Sequence, residues 1–295
     1  MNKKILKNIE WSILICVLLL ICISCIALYS ATKSSNYDEL KKQLIWLGIS
    51  VPIMIAVICV DYKIIVKIAP VTYFVMLILL VVVLFTNPIN GARSWFEIGS
   101  FSLQPAEFAK IFVILTLAVV IDKLKGEDSS SIKSPLKLLG ILSVVVIPVL
   151  LIIRQPDYGT ASAFIVALLF MLIIAGIDKK YVIGAIVAVI VLVPIIYMYV
   201  LPAHAKIRID VFLNPDLDPR GSGYNILQSK LAIGSGQLCG MGINQGNQTQ
   251  LGYLYPKTTD FIFSVIGEEM GFVIAGFIII LYIVLITRSI YIAKT

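Results

Sequence analysis

Eight stretches of the chain, residues 11–32, 44–60, 64–86, 104–121, 136–153, 160–177, 181–201 and 260–287, are almost uninterrupted apolar sequence. Each approaches the roughly 20 apolar residues that an α-helix needs to cross a bilayer core about 30 Å thick. A backbone in hydrocarbon must satisfy its own hydrogen bonds, so these runs dictate helices rather than loops or open strands. Composition agrees: 59% of the 295 residues are hydrophobic and 14% charged, where a soluble domain carries about 25% charged residues. The expected fold is an all-α polytopic membrane protein of about eight transmembrane helices. It forms one integral domain over residues 1–295, with a large loop, 202–259, between spans seven and eight. The first run is too long for a signal-peptide core of roughly 7–15 residues, and no small-residue cleavage site follows it, so it counts as a span.

A net charge of +7 would suggest nucleic acid in a soluble protein. Here the basic residues are scattered between apolar runs instead of forming one face, which excludes that partner. Eight spans put both termini on one side, and the lysine and arginine bias assigns that side to the cytoplasm. On this count the inner segments hold Lys3, Lys4, Lys7, Lys63, Lys67, Lys123, Lys125, Lys133, Lys137, Lys179, Lys180, Arg288 and Lys294, while acidic residues concentrate outside. Cys16, Cys22, Cys25 and Cys59 lie in apolar runs and only Cys239 in a polar loop, so no disulfide framework is expected. The Cys22/Cys25 pair lacks a second ligand pair and reads as small apolar packing. His204 is a lone surface histidine.

Ionisable groups inside spans cost roughly 2.5–3.5 kcal/mol each at a helix centre on insertion scales, so each calls for a partner or a purpose. Glu107, Lys110, Glu268 and Glu269 are the four that stand out. With the fourth span starting at Gln104-Pro105, Glu107 and Lys110 become i,i+3 neighbours. Glu268 or Glu269 lies at similar depth in the last span, within reach of an ion pair with Lys110. A buried pair that fixes helix register and a polar cavity open to the outer face both account for these residues.

The loop 202–259 carries apolar residues at helical spacing, Tyr224, Leu227 and Leu231, which predict an amphipathic helix over 223–234 against the outer membrane surface. Ahead of it stands Asp218-Pro219-Arg220-Gly221. Proline keeps Asp218 out of the α region, so the carboxylate either projects from the loop or belongs to a plain turn. Gly234, Gly236, Gly240, Gly242 and Gly246 follow, suited to presenting backbone N–H groups to an anion or to making tight turns. A short echo links Gln104-Pro105-Ala106-Glu107 to Gln155-Pro156-Asp157-Tyr158.

Several of these stretches, in order, resemble the SEDS family of membrane peptidoglycan glycosyltransferases, the RodA, FtsW and SpoVE type. The matches are Asn90-Gly91-Ala92-Arg93-Ser94-Trp95-Phe96, Gln104-Pro105-Ala106-Glu107-Phe108-Ala109-Lys110, Gln155-Pro156-Asp157-Tyr158-Gly159-Thr160-Ala161, and Asp218-Pro219-Arg220-Gly221-Ser222-Gly223-Tyr224-Asn225 with Gln228-Ser229. Thr259-Asp260-Phe261-Ile262-Phe263 leading to Gly267-Glu268-Glu269 completes the set. The RodA branch, serving wall elongation, fits better than division or sporulation. The resemblance implies polymerisation of lipid II into glycan strands on the outer membrane face, beside a class B penicillin-binding protein and the elongation or division machinery. It places the catalytic aspartate at Asp218, and substrate-binding groups at Glu107, Lys110, Arg93, Gln104, Asp157, Gln228, Ser229, Asp260, Glu268 and Glu269. Arg208 joins them as a cation for the departing diphosphate. No cofactor is required, and a divalent cation at the diphosphate is left open.

Three departures stand against that pattern. The family usually has ten spans and eight are found here, which reads as a short form or an incomplete chain. Pro256, followed by Lys257, occupies a position where glutamate is expected, and Gln237 one where glycine is expected. Two other readings therefore remain: a lipid II transporter, and a catalytically weak scaffold for the penicillin-binding partner. A transporter needs polar groups at the membrane midplane, whereas here they gather in the outer halves of the spans.

Overall fold

The computed structural model describes residues 10–294 except 90, 99–100, 126–133, 202 and 222. Lys3, Lys4, Lys7 and Lys133 of the charge bias, Asn90 and Ser222 of the motifs, and the side chain of His204 lie outside the described residues. The elements run α1 (Trp11–Ala31), α2 (Asp38–Cys59), α3 (Tyr62–Val82), β1 (Phe96–Ile98), β2 (Phe101–Leu103), α4 (Pro105–Lys125), α5 (Pro135–Ile153), α6 (Tyr158–Ala175), α7 (Lys179–Ile195), α8 (Ala203–Leu213), α9 (Tyr224–Ser235), α10 (Asn247–Gln250) and α11 (Ile262–Lys294). Among the described residues seven helical runs are long and apolar enough to cross a membrane, corresponding to α1, α2, α3, α5, α6, α7 and α11. The chain is thus a multi-pass α-helical membrane protein. At 21 residues α4 has the length of its neighbours, and Glu107, Lys110, Asp122, Lys123 and Lys125 set its composition apart.

The chain forms two compact units, Ile55–Ile196 and Met1–Met54 with Tyr197–Thr295. In the first, α3 to α6 pack around Tyr73, Leu80, Val113, Leu117, Ile141, Val145, Ile152 and Phe164. Ala69, Ala106 and Ala109, each at most 1% exposed, let the backbones of α3 and α4 approach closely, the usual route to tight packing between membrane helices. Pro148 inside α5 has no N–H, which leaves the Val144 carbonyl without its helical donor. The Tyr73 hydroxyl of α3 donates to that carbonyl at 3.1 Å. The Thr116 hydroxyl of α4 donates to the Ala69 carbonyl at 3.0 Å, a second polar stitch along the same bundle. A hairpin precedes α4, with Phe96 opposite Leu103 and Ile98 opposite Phe101.

In the second unit α1 and α9 both pack on α11, with Ala27, Ile266 and Ile278 in one cluster and Ala31, Leu254 and Val265 in another. The large loop holds more helix than its sequence suggested. The predicted amphipathic helix is α9, but residues 206–210, read as loop, lie inside α8. Residues 203–213 contain neither glycine nor proline, and the helix stops where Pro215 bars the α region to Asn214.

The long helix α11 is broken at Gly271, which sits at φ 80°, ψ 179°. In an unbroken helix the carbonyls of residues 268 and 269 would receive the N–H groups of 272 and 273. Here the segment after α9 is inserted into those two rungs. Met241 N–H and Gly242 N–H donate to the carbonyls of Glu268 and Glu269 at 2.9 and 3.0 Å. Phe272 N–H and Val273 N–H donate to the carbonyls of Gln237 and Leu238 at 2.9 and 3.2 Å. Two helical bonds are replaced by four to the loop, so the four groups of these two rungs are all paired. Non-helical backbone at such a place requires that condition.

Candidate active site

The sequence-predicted residues fall into two groups, one in each unit. In the unit Ile55–Ile196 the buried face of α4 is Ala106, Ala109, Val113 and Leu117, and Glu107 and Lys110 lie one position further round. Their i,i+3 pairing is as expected: Lys110 Nζ reaches both carboxylate oxygens of Glu107, at 2.9 and 2.8 Å. With Glu107 and Lys110 side chains 53% and 32% exposed, this pair remains accessible rather than sealed in the bundle. Gln104 donates from Nε2 to Asp157 Oδ2 at 2.7 Å, while Asp157 Oδ1 accepts the Thr160 N–H at 3.1 Å as the cap of α6. Asp157 thereby ties the start of α4 to the start of α6. The echo of that Gln-Pro motif behaves differently: Gln155 is fully buried and donates to the Leu80 carbonyl at 3.1 Å. Arg93 is exposed and donates to the Leu84 carbonyl at 3.3 Å.

In the other unit Asp218 lies between the one-turn 3-10 helix Pro215–Leu217 and α9. Its backbone, at φ −144° and ψ 70°, is outside the α region as Pro219 demands. The carboxylate takes part in the turn: Oδ1 accepts the Gly221 N–H at 2.9 Å, and the Asp218 carbonyl accepts the Gly223 N–H at 2.9 Å. A Cβ on Gly221 would lie 2.2 Å from Asp218 Oδ2, so glycine is what lets this carboxylate fold back there. The carboxylate thus belongs to its turn instead of standing clear of it. Arg208 is exposed on α8, and Asp260 is exposed in the turn before α11. Lys206, one turn from Arg208's neighbours, donates to the Met198 carbonyl at 2.9 Å, and Asp210 accepts the Tyr197 hydroxyl.

Ser229 on α9 is hydrogen-bonded to Ser264 on α11, oxygen to oxygen 2.7 Å. Gln228 beside it keeps Oε1 buried with no partner among the described residues. Glu268 and Glu269 are 0% and 2% exposed. Glu268 Oε1 accepts Gln248 N–H at 2.7 Å and its Oε2 accepts Thr249 N–H at 3.0 Å and the Thr249 hydroxyl at 2.6 Å. Within its unit α10 offers the free N–H groups of a helix start directly to the Glu268 carboxylate. Glu269 Oε1 accepts Gln250 Nε2 at 2.8 Å and Gly246 N–H at 3.4 Å. The glycines of the loop differ: a Cβ on Gly236 would lie 1.9 Å from the Gly267 carbonyl oxygen and one on Gly240 2.2 Å from that of Glu269, so these two admit backbone against backbone, while Gly246 presents its N–H to the Glu269 carboxylate.

Sequence reasoning missed Lys257, Thr249, Gln250 and Ser30, which surround the two glutamates. Lys257 Nζ donates to the Thr249 carbonyl at 2.9 Å. Burial lowers its ammonium below the usual lysine value, and the charge of Glu269 opposes that shift. Lys257 was visible as the residue beside the expected glutamate position, but only the folded loop shows that it donates to the Thr249 carbonyl.

These elements define a multi-pass α-helical membrane protein with several of its polar residues at helix starts and in the helical segment between α7 and α11. The cell cycle protein model for FtsW, RodA and SpoVE matches residues 10–295. The chain belongs to that family. It is 34% identical over 288 residues to peptidoglycan glycosyltransferase MrdB of Escherichia coli K12, covering 97% of this chain and 76% of that protein. It is 35% identical over 297 residues to stage V sporulation protein E of Bacillus subtilis, covering 95% and 78%. Among solved structures, one describing the coordination of polymerization and crosslinking by a peptidoglycan synthase complex matches with TM-score 0.78 and 25% identity over 95% of this chain and 77% of that chain. The rod shape determining protein RodA of Thermus thermophilus shares the fold with TM-score 0.65 at 23% identity, over 95% of this chain and 74% of that chain.

Proposed function

We infer that this chain is a peptidoglycan glycosyltransferase that polymerises lipid II on the outer face of the cytoplasmic membrane, in wall elongation. The observation that carries the chemistry is Asp218: a half-buried carboxylate outside the spans, with Oδ1 aimed by the Gly221 N–H. In this reading Asp218 is the general base. It takes the proton of the acceptor sugar hydroxyl as that oxygen bonds to the anomeric carbon of the lipid-linked sugar, and the bond from that carbon to the diphosphate oxygen breaks. The polyprenyl diphosphate is already a good leaving group, so charge neutralisation is the remaining requirement, for which Arg208, in the same unit as Asp218, is the proposed cation. Glu107 holds Lys110 by both oxygens and keeps its flexible stem in one place. One carboxylate serves here, where a glycosidase uses two flanking ones.

The transporter reading has less support, because residues 111–121 of α4 carry no charge between the Glu107–Lys110 pair and Asp122. The partner in this proposal is a class B penicillin-binding protein, supported by the likeness to a structure in which polymerization and crosslinking are coordinated. The test is gel analysis of glycan products from lipid II, with purified chain alone and with its penicillin-binding partner. Polymer from the wild type and none from Asp218→Asn is the expected result. Full activity of a folded Asp218→Asn chain rejects the base, and no polymer from folded wild type with partner rejects the enzyme.

A further inference from the structure

In the unit Ile55–Ile196 the helices α3 to α6 share one buried core, whereas α7 contributes no buried residue along its whole length. Between α6 and α7 lies an open groove of about 320 Å³. Leu169, Leu172 and Ile173 of α6 form one wall, and Tyr181, Ala185 and Val189 run along the other. Those three α7 residues are four apart, so they make one stripe of the helix turned towards α6. Every lining side chain is aliphatic except Tyr181, which stands at the end where α7 begins. Membrane helices attract each other through close van der Waals contact, and two that pack directly leave no such gap. An apolar cavity of roughly 150 Å³ stays dry and takes up a small apolar ligand. Hydrocarbon, not water, therefore suits this groove.

The mouth of the groove is cationic. Lys180 Nζ lies 5.0 Å from the centre of the Tyr181 ring, which puts an ammonium at the polar edge of the lining. Its acid, Asp178, is 3.6 Å away and also accepts the Lys180 N–H at 3.1 Å. With side chains 61% and 29% exposed, that ion pair is a weak one, open to a competing anion. Lys179, just before it, is exposed and has no acid paired with it among the described residues. Two ammonium groups thus stand against one carboxylate beside the end of an apolar slot. Basic residues at the end of a gap between spans hold anionic lipid headgroups. We propose that the groove between α6 and α7 binds one anionic phospholipid, its acyl chain lying between the two helices and its phosphate at Lys179 and Lys180. The lipid supplies the packing that α7 lacks against its neighbour. This site does not depend on the transferase reading.

The test is native mass spectrometry of the full chain released from detergent, titrated with phosphatidylglycerol or with phosphatidylcholine carrying the same acyl chains. The expected result is one phosphatidylglycerol retained with a preference of about tenfold or more over phosphatidylcholine, near what two lysines at a headgroup supply. Lys179→Gln combined with Lys180→Gln should abolish that preference. Ala185→Phe places a ring where the acyl chain lies and should lower retention of phosphatidylglycerol. All three positions are exposed, so neither variant removes a buried contact. Equal retention of the two lipids by the wild type overturns the site, as does a preference that survives the double lysine substitution. Retention unchanged in Ala185→Phe puts the lipid elsewhere and overturns it too. Displacement of phosphatidylglycerol by an equimolar polyprenyl phosphate would give the groove to an isoprenoid chain and reject the phospholipid.

Discussion

Asp218 is tied to its own turn by the Gly221 N–H, and amidation leaves that acceptor in place while removing the base. Asp218→Asn is therefore expected to fold normally and lose about 10²–10⁴ in polymerisation rate, the usual contribution of a general base. Lys257 makes a pH prediction. Its folded-state value is lowered by burial, so between that value and the ordinary 10.5 the unfolded chain binds more protons than the folded one. Stability from this residue must then rise with pH across that window. The difference in unfolding midpoint between wild type and Lys257→Met should shift in favour of wild type as pH climbs through it, and a difference independent of pH would refute the assignment. Gln237 sits at φ 50°, where the sequence pattern led us to expect glycine. A non-glycine residue there costs about 1–2 kcal/mol, partly offset by glycine's greater freedom in the unfolded chain. Gln237→Gly is expected to raise the midpoint slightly, and a lowered midpoint would show that the Gln237 side chain, not its backbone, matters.

At the level of elements the apolar runs told nearly everything about the spans and little about the cap. Helix periodicity exposed α9, because a half-buried amphipathic helix writes its buried face into the sequence. It missed α8, whose residues Lys206 to Asp210 alternate apolar and charged with a period of two and so carry no helical signal. Nothing in the sequence marked the two-rung insertion into α11, since the carbonyls and N–H groups that make it carry no side-chain signature. Its one trace was Gly271, a glycine in an otherwise continuous apolar helix. At φ 80° and with a Cβ only 2.3 Å from Gly240 N, Gly271 tolerates no side chain. Gly271→Ala should cost at least about 2 kcal/mol, the penalty of a backbone region open essentially to glycine alone plus the displaced loop. Gly276, five residues on in the same helix, has no atom within 4 Å of its Cβ position. Gly276→Ala should therefore be neutral or stabilise by up to about 1 kcal/mol, on helix propensity alone. Equal effects of the two substitutions on the unfolding midpoint would mean that the break is not a specific joint.

For the molecule as a whole, fold class and family were legible because hydrocarbon leaves a chain so few options, and because the motif residues keep their order from Arg93 to Glu269. The roles of those residues were less legible. Asp157, Ser229, Glu268 and Glu269 each spend their polar atoms holding one element to another, and a motif does not distinguish a residue that touches substrate from one that places its neighbour. Sidedness rests on charge bias alone, part of it carried by the lysines ahead of α1, and the proposed chemistry depends on it: lipid II polymerisation needs Asp218 outside. Cys239 is exposed in the segment that follows α9, whereas Cys16, Cys22, Cys25 and Cys59 lie in α1 and α2. With those four replaced by alanine, a membrane-impermeant maleimide added to intact cells should label Cys239 directly. Labelling only after the membrane is opened would put the cap, and Asp218 with it, on the cytoplasmic side. The glycosyltransferase would then lose its outer-face site even if every contact described above were right.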